Sequence, residues 1–339
     1  MVVDSRDAIL SRPPDSRRRP MEQPPSGTTS LLRVTARDAV ADDVIALTLE
    51  HPDGRRLPDW APGAHIDLIL PTGLTRQYSL CGNRWDAHTF RIAVRRESDG
   101  RGGSAYVHDV LAVGDLVGVG GPRNNFRMVP AAKYVFVAGG IGITPMLPMI
   151  HQAELVGATW KLVYTGHSRA TMPFTDELAP YGDRVSIVAT DEGGRIDIGA
   201  LLADAGGDSR VYVCGPCSML DDAVAAATTW PPGRLRVERF RAERSDTPAR
   251  TEPFVLELAR SGRTLPVTPE RTVLDALADA GVGVLSSCRE GLCGTCETTV
   301  LAGEPEHRDS ILDDDERDSG TCMFVCVSRS RSDRLVLDL

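Results

Sequence analysis

The chain has no run of about 18 apolar residues, so it offers no helix able to span a bilayer. Its first residues have no apolar core of the signal-peptide kind, and no secretory leader is expected. Excess positive charge is also missing. There are 38 Lys and Arg against 47 Asp and Glu, a formal net charge of −9, which argues against a nucleic-acid partner. The G-x-G-x-x-G fingerprint does not follow the main apolar strand, which argues against an ordinary Rossmann dehydrogenase.

Cysteine is well supplied. Cys288, Cys293 and Cys296 stand as C-x4-C-x2-C, and Cys326 follows far downstream. This is the plant-type ferredoxin spacing for a [2Fe–2S] cluster, a one-electron carrier. Three thiolates from one short loop must converge on a small inorganic core. Gly291 and Gly294 supply permissive backbone where a side chain would collide. Backbone amides are expected to point at the cluster and stabilise its negative charge. A structural zinc site is the competing reading, but the C-terminal part holds a single C-x2-C pair where zinc knuckles favour two. Cys326 falls in the apolar run Met323–Val327, read as a strand that closes the cage. Cys322 is the rival fourth ligand, nearer the acidic stretch Asp313–Glu316. That stretch reads as a solvated helix start, or alternatively as a face for a basic partner. Cys81, Cys214, Cys217 and Cys322 sit in unrelated contexts, so a reducing cytoplasm fits better than a disulfide framework.

At 339 residues the chain exceeds one ordinary core. Residues 1–30, rich in Pro, Arg and Ser, read as a disordered tail, with Arg17-Arg18-Arg19 solvated rather than a docking signal. Over 31–129, short alternating runs (Val44–Glu50, His65–Leu70, Arg91–Arg95, Leu116–Gly120) predict a small antiparallel β-barrel. Over 130–241 the strand Tyr134–Ala138 leads into a Gly-rich turn and a helix from about Pro145. Further apolar strands at Lys161–Thr165, Val185–Ala189 and Val211–Cys214 predict a parallel α/β sheet. Residues 242–252 read as a linker. Residues 253–339 read as a separate small domain with strands Phe254–Leu258 and Thr264–Val267, a helix from Val273, and the cysteine loop.

Three motifs point to anionic ligands. Arg76-Gln77-Tyr78-Ser79 places a cation, an aromatic and a hydroxyl on one strand, as a flavin needs. Arg101-Gly102-Gly103-Ser104 precedes a helix expected at Ala105–Leu111, so its amides and hydroxyl can meet a phosphate. A plain strand edge and a plain capped turn are the competing readings. Gly139-Gly140-Ile141-Gly142-Ile143-Thr144-Pro145 lets the backbone approach a pyrophosphate, with Pro145 at the first helical turn. Cys214-Gly215-Pro216 ends a later strand, where open α/β sheets bind ligands. Cys214 as an active-site group and Cys214 as a small buried residue are left open.

In this order the motifs resemble the ferredoxin–NADP reductase superfamily in its phthalate dioxygenase reductase branch, which includes vanillate demethylase reductases. The resemblance covers about Leu31 to Leu339 and extends to Glu306-His307-Arg308-Asp309 and Val325–Arg329. It implies a multi-domain protein: an antiparallel β-barrel for flavin, an α/β nucleotide domain, and an α+β (β-grasp) ferredoxin domain. It implies FMN, NADH (or NADPH) and one [2Fe–2S] cluster on one chain. By the family pattern Arg76 and Ser104 hold the FMN phosphate, Tyr78 and Ser79 contact the isoalloxazine, Thr144 and Cys214 border the nicotinamide, and Phe240 covers the flavin. Ser168 and Arg169 could meet a 2′-phosphate, while the branch favours NADH.

Hydride transfer needs stacking more than an acid–base dyad, so His65, His88, His108, His151 and His167 are not read as catalytic. The expected partner is a separate terminal oxygenase, of Rieske type or alternatively a haem-thiolate monooxygenase. Other readings are a non-enzymatic iron–sulfur carrier or redox sensor, and an FAD flavoprotein of the nitrate- or globin-linked type. A monomer is expected from the resemblance.

Overall fold

The computed structural model describes residues 29–98, 100–241, 250–312 and 314–339. The tail with Arg17–Arg19, the linker stretch 242–249 and Asp313 lie outside the described residues.

The first sheet is built from Thr29–Ala41 (β1), Val44–Glu50 (β2), His65–Ile69 (β3), Thr75–Ser79 (β4), Thr89–Arg95 (β5) and Leu116–Arg123 (β6). All its pairings are antiparallel, in the order β4-β3-β6-β1-β2-β5. A bridge from Leu80 to Ile92 joins the two edges and closes the barrel. Inward positions Leu32, Val34, Leu47, Leu49, Ile66, Leu68, Ile92 and Val94 fill it and are buried. The helix expected at Ala105–Leu111 runs instead over Gly103–Asp109. Gly102, at φ +82°, turns the chain sharply enough for the helix to start at the next residue.

The second sheet is parallel: Lys133–Gly139 (β7), Thr159–Gly166 (β8), Val185–Ala189 (β9), Arg210–Cys214 (β10) and Leu235–Glu238 (β11). Strand order is β11-β10-β7-β8-β9, so chain direction across the sheet reverses between β7 and β10. Alternate residues of β7 enter two cores. Tyr134, Phe136 and Ala138 pack with Trp160 and Tyr212, and Val135 and Val137 pack with Leu202 and Val213. Burial on both faces is what a parallel sheet requires.

The third part holds Phe254–Leu258 (β12), Arg263–Val267 (β13), Glu297–Ala302 (β14), Pro305–Glu306 (β15), Cys322–Phe324 (β16), Arg329–Ser330 (β17) and Arg334–Leu337 (β18). Five strands form one sheet, β13-β12-β18-β14-β16, and β15 pairs with β17. The helix Val273–Asp279 is capped by Thr272, whose hydroxyl accepts the Asp275 N–H at 3.0 Å. It lays Val273, Leu274 and Leu277 into the core with Leu256 and Phe324. The strand expected over Met323–Val327 stops at Phe324. The Phe324 carbonyl accepts the N–H groups of Val327 and Ser328, so the chain reverses and Cys326 sits in the turn. Among the described residues no helix is long and apolar enough to cross a membrane.

Candidate redox site

Strand β4 is the centre of the site. It pairs with β3 so that Asp67 opposes Gln77 and His65 opposes Ser79. Arg76, Gln77, Tyr78 and Ser79 line one cleft together with Gly103, Ser104, Thr144 and Phe240. The cleft encloses ≈ 200 Å³ and opens to solvent. At one end the Arg76 guanidinium donates to the Arg101 carbonyl at 3.4 Å. A Cβ on Gly103 would lie 2.8 Å from Arg76 Nε, so the glycine makes room for that cation. Ser104 Oγ accepts the Glu97 N–H at 3.0 Å and keeps its own hydrogen to donate. In the middle, burial pushes the Tyr78 hydroxyl up to about 12, with Arg76 pulling the other way, so the ring stays neutral. At the far end stand the hydroxyls of Ser79 and Thr144, both buried. These features suit a planar ring system with a phosphorylated tail, and FMN fits that description.

A second cleft adjoins the first at the reversal point of the parallel sheet. Gly139, Gly140, Thr165, His167, Arg195 and Pro216 line it. Open α/β sheets bind ligands at such a point, beyond the carboxyl ends of the strands. The turn Gly140–Ile143 is a single 3₁₀ turn, Thr144 folds its hydroxyl back onto the Ile141 carbonyl at 2.9 Å, and Pro145 is the cap of the helix Met146–Leu155. The two loops touch. A Cβ on Gly139 would meet Pro216 Cδ at 2.6 Å, and one on Gly142 would meet the Cys214 carbonyl oxygen at 2.2 Å. Gly215 packs against Gly139 and Met219. Gly102, Gly142, Pro145 and Gly215 thus shape the backbone, and the described clefts are lined by their neighbours.

Cys214 is completely buried, and burial followed by the nearby Glu238 raises its thiol well above the ordinary range. Its side chain does not reach the cleft surface. It contacts Glu238, which sequence reasoning missed. Glu238 ends β11, and its side chain hydrogen-bonds Ser79. The residue keeps partial solvent access and lines a cleft with Ser79 and Phe240. Burial pushes its carboxyl up to about 8, against the lowering effect of the Ser79 hydrogen bond. Its only signal was a carboxylate at the end of an apolar strand.

The cysteine loop lies against the barrel. Cys288 is half-buried, and Cys293, Cys296 and Cys326 are buried and free of disulfides. The amides of Glu290 and Leu292 donate to Cys288 Sγ at 3.3 and 3.4 Å, the inward-pointing pattern an anionic cluster needs. Hydrogen bonds from Cys293 and then Cys326 hold the Cys288 thiol well below the ordinary range. Cys296 in turn contacts Cys326. Among the described residues no three ligating side chains close on one point. The four thiols contact one another in sequence, Cys293 to Cys288 to Cys326 to Cys296. Burial, with the nearby charges of Glu297, Asp309 and Glu316, raises the Cys322 thiol, which is not among the partners of Cys288 or Cys296. Gly291 has φ +69°, and a Cβ there would lie 2.7 Å from Val327, so the loop is closed tightly over its glycine.

These clefts and this loop define a class: a flavin- and nucleotide-binding reductase with an iron–sulfur centre. Comparison with known proteins agrees. Residues 256–331 match the family model of the 2Fe-2S iron-sulfur cluster binding domain. The chain is 45% identical over 310 residues to the phenoxybenzoate dioxygenase subunit beta of Ectopseudomonas oleovorans, covering 91% of this chain and 97% of that one. A solved phthalate dioxygenase reductase, described as modular for electron transfer from pyridine nucleotides to [2Fe–2S], shares 37% identity. It superposes with TM-score 0.67, covering 92% of this chain and 98% of that one. An intact type IV self-sufficient cytochrome P450 monooxygenase shares 41% identity with TM-score 0.88, covering 96% of this chain and 43% of that one. The chain belongs to the phthalate dioxygenase reductase family of oxygenase reductase components. It is an NAD(P)H-dependent oxidoreductase whose cofactors are FMN and a [2Fe–2S] cluster.

Proposed function

We propose that this reductase carries electrons along one line, from nucleotide cleft to β4 to cysteine loop, and delivers them to a Rieske-type aromatic-ring dioxygenase or O-demethylase. The observation that carries it is the position of β4. Its Arg76–Ser79 segment lines the flavin cleft, Ser79 meets Glu238 of the nucleotide domain, and Gln77 Nε2 donates to Ser287 Oγ at 3.1 Å, beside Cys288. FMN held along β4 would supply the exchange between the two-electron chemistry of the nicotinamide and the one-electron chemistry of the cluster.

The chain's residues do the positioning. Arg76 and Ser104, with the Gly102–Gly103 backbone, bind the phosphate. Tyr78 packs on the flavin, Ser79 hydrogen-bonds the ring, and Phe240, 39% exposed at the cleft mouth, shields it. Gly139, Gly140 and Gly142 admit the pyrophosphate, and Thr144, Pro145 and the Cys214–Pro216 turn border the nicotinamide. Cys214 acts there through Glu238. Cys288, Cys293, Cys296 and Cys326 ligate the cluster. We assign 31–129 to the flavin barrel, 130–241 to the nucleotide domain, 242–252 to a linker and 253–339 to the ferredoxin domain, in a cytoplasmic monomer.

NADH is the preferred donor. The Arg169 Nε–H is shared between both Glu192 oxygens at 3.0 and 3.1 Å, and the Ser168 hydroxyl bonds Thr171, so both residues that could meet a 2′-phosphate already have partners. A haem-thiolate monooxygenase is the second reading for the partner, favoured by the close superposition on the fused P450 structure. Full-length coverage of a dioxygenase subunit supports the first.

Anaerobic titration with NADH, and separately NADPH, while flavin and cluster absorbance are followed tests the route. Both bands should bleach, faster with NADH. No response to either nucleotide would overturn it. Adding a purified Rieske oxygenase or a P450 to the reduced protein then separates the two partners by which one reoxidises it.

A further inference from the structure

The barrel wall holds a buried carboxylate that the flavin and nucleotide sites do not use. Asp67, on β3, is 4% exposed, and a Cβ on Gly120 would lie 3.2 Å from its Oδ2, so the wall leaves it a niche. A buried carboxylate is costly unless its charge is paired and hydrogen-bonded. Asp67 Oδ1 accepts the Gln77 Nε2 amide at 2.6 Å and forms an ion pair with Arg123 Nη2 at 2.6 Å. Both partners continue to the cysteine loop. Gln77 donates to Ser287 Oγ at 3.1 Å, and Arg123 Nε donates to the Cys293 carbonyl at 3.1 Å. These contacts grip the loop at its two ends, one residue before Cys288 and at Cys293 itself. A third tie, Arg101 to Glu290 at 2.7 Å, joins exposed side chains. Solvent and salt weaken such a pair, so it adds little to the grip.

We propose that Asp67 is a positioning residue for electron transfer: through Arg123 and Gln77 it fixes the cysteine loop against the flavin-lining strand. The Asp67 carboxylate holds the Arg123 fork so that its second donor points at the Cys293 carbonyl. It also holds the Gln77 amide at an angle that reaches Ser287. Without the carboxylate the barrel still closes and the flavin cleft keeps its lining, but the loop has nothing rigid to seat on.

The inference rests on the electron route proposed above, and the test separates the two. Full-length holoprotein with Asp67→Asn is mixed anaerobically with NADH in a stopped-flow spectrometer. Hydrogen exchange of the 286–295 amides and the electron paramagnetic resonance spectrum of the reduced cluster are measured alongside. Flavin bleaching should keep its wild-type rate, because Asp67 touches neither proposed ligand. Cluster reduction should slow roughly tenfold or more, since small misplacement of reacting groups costs rate steeply. Exchange in the loop should accelerate. Arg123→Lys, which keeps the charge and loses the fork, should shift the same two readouts in the same direction. It carries the test if Asp67→Asn does not fold. Unchanged loop exchange and cluster reduction in these variants would overturn the proposal, as would an equal slowing of flavin and cluster. Failure of the cluster to bleach in the wild-type protein would instead overturn the route.

Discussion

The Cys214 sulfur lies 3.9 Å from Glu238 Oε2, linking the ends of two neighbouring parallel strands at the edge of the flavin cleft. Burial raises the pKa of both groups, and Ser79 completes the contact from the barrel side. The junction between flavin and nucleotide domains thus favours the protonated form of both groups.

A pH dependence follows from Glu238. Its carboxyl goes from 4.5 in the ordinary state to about 8 in the folded chain, so the folded state binds the extra proton between those values. Stability from this group is therefore lost as pH rises through that window, with a slope of at most about 1.4 kcal/mol per pH unit. Glu238→Gln should flatten the fall, seen as a smaller decline in Tm between pH 6 and about 8 by calorimetry. Identical slopes in both proteins would mean that Glu238 is ionised throughout.

Cys326→Ser should abolish the cluster's visible and paramagnetic signals while NADH still bleaches the flavin. Cys322→Ser should retain both, because Cys288 and Cys296 contact Cys293 and Cys326 and not Cys322. The reverse result would transfer the fourth ligand to Cys322.

Arg76→Ala should weaken FMN retention, since it removes a charge-assisted contact worth about 2 kcal/mol, roughly thirtyfold in Kd. Equilibrium dialysis of FMN against the deflavinated protein measures this. Gly103→Ala should act in the same direction by displacing the Arg76 guanidinium. Wild-type affinity in both would place the phosphate elsewhere.

Gly142→Ala should destabilise the protein by about 3 kcal/mol, because its Cβ would press into the backbone of Cys214 and Gly215 and overpacking there cannot relax. Chemical denaturation followed by tryptophan fluorescence reads this. Gly193→Ala, where a Cβ would meet nothing within 4 Å, is the control.

Glu192→Gln frees the Arg169 guanidinium. It should lower the KM for NADPH by roughly two- to fivefold with little effect on kcat, as befits an exposed pair worth up to about 1 kcal/mol. Steady-state kinetics with both nucleotides decide it; an unchanged preference would remove Arg169 from the specificity argument.

Local chemistry was readable from the chain alone. A C-x4-C-x2-C loop, a glycine turn after an apolar strand, and period-two alternation over the barrel each need only neighbouring residues, and each appears where its pattern places it. Cys326 was legible as a ligand candidate but not as a turn residue, because the Phe324 carbonyl ends the ladder through bonds that hydrophobic patterning does not carry. Long-range pairings were not readable. Gln77 and Ser287 are 210 residues apart, and Arg123 and Cys293 are 170 apart. A lone Asp in a strand or a Glu at a strand end has the same local signature whether it faces water or a partner domain. The cofactor-binding chemistry was therefore written in short spacings. Which carboxylates would be buried, which would stay protonated, and how the barrel would seat the cysteine loop were decided only when distant segments packed and excluded water from the groups between them.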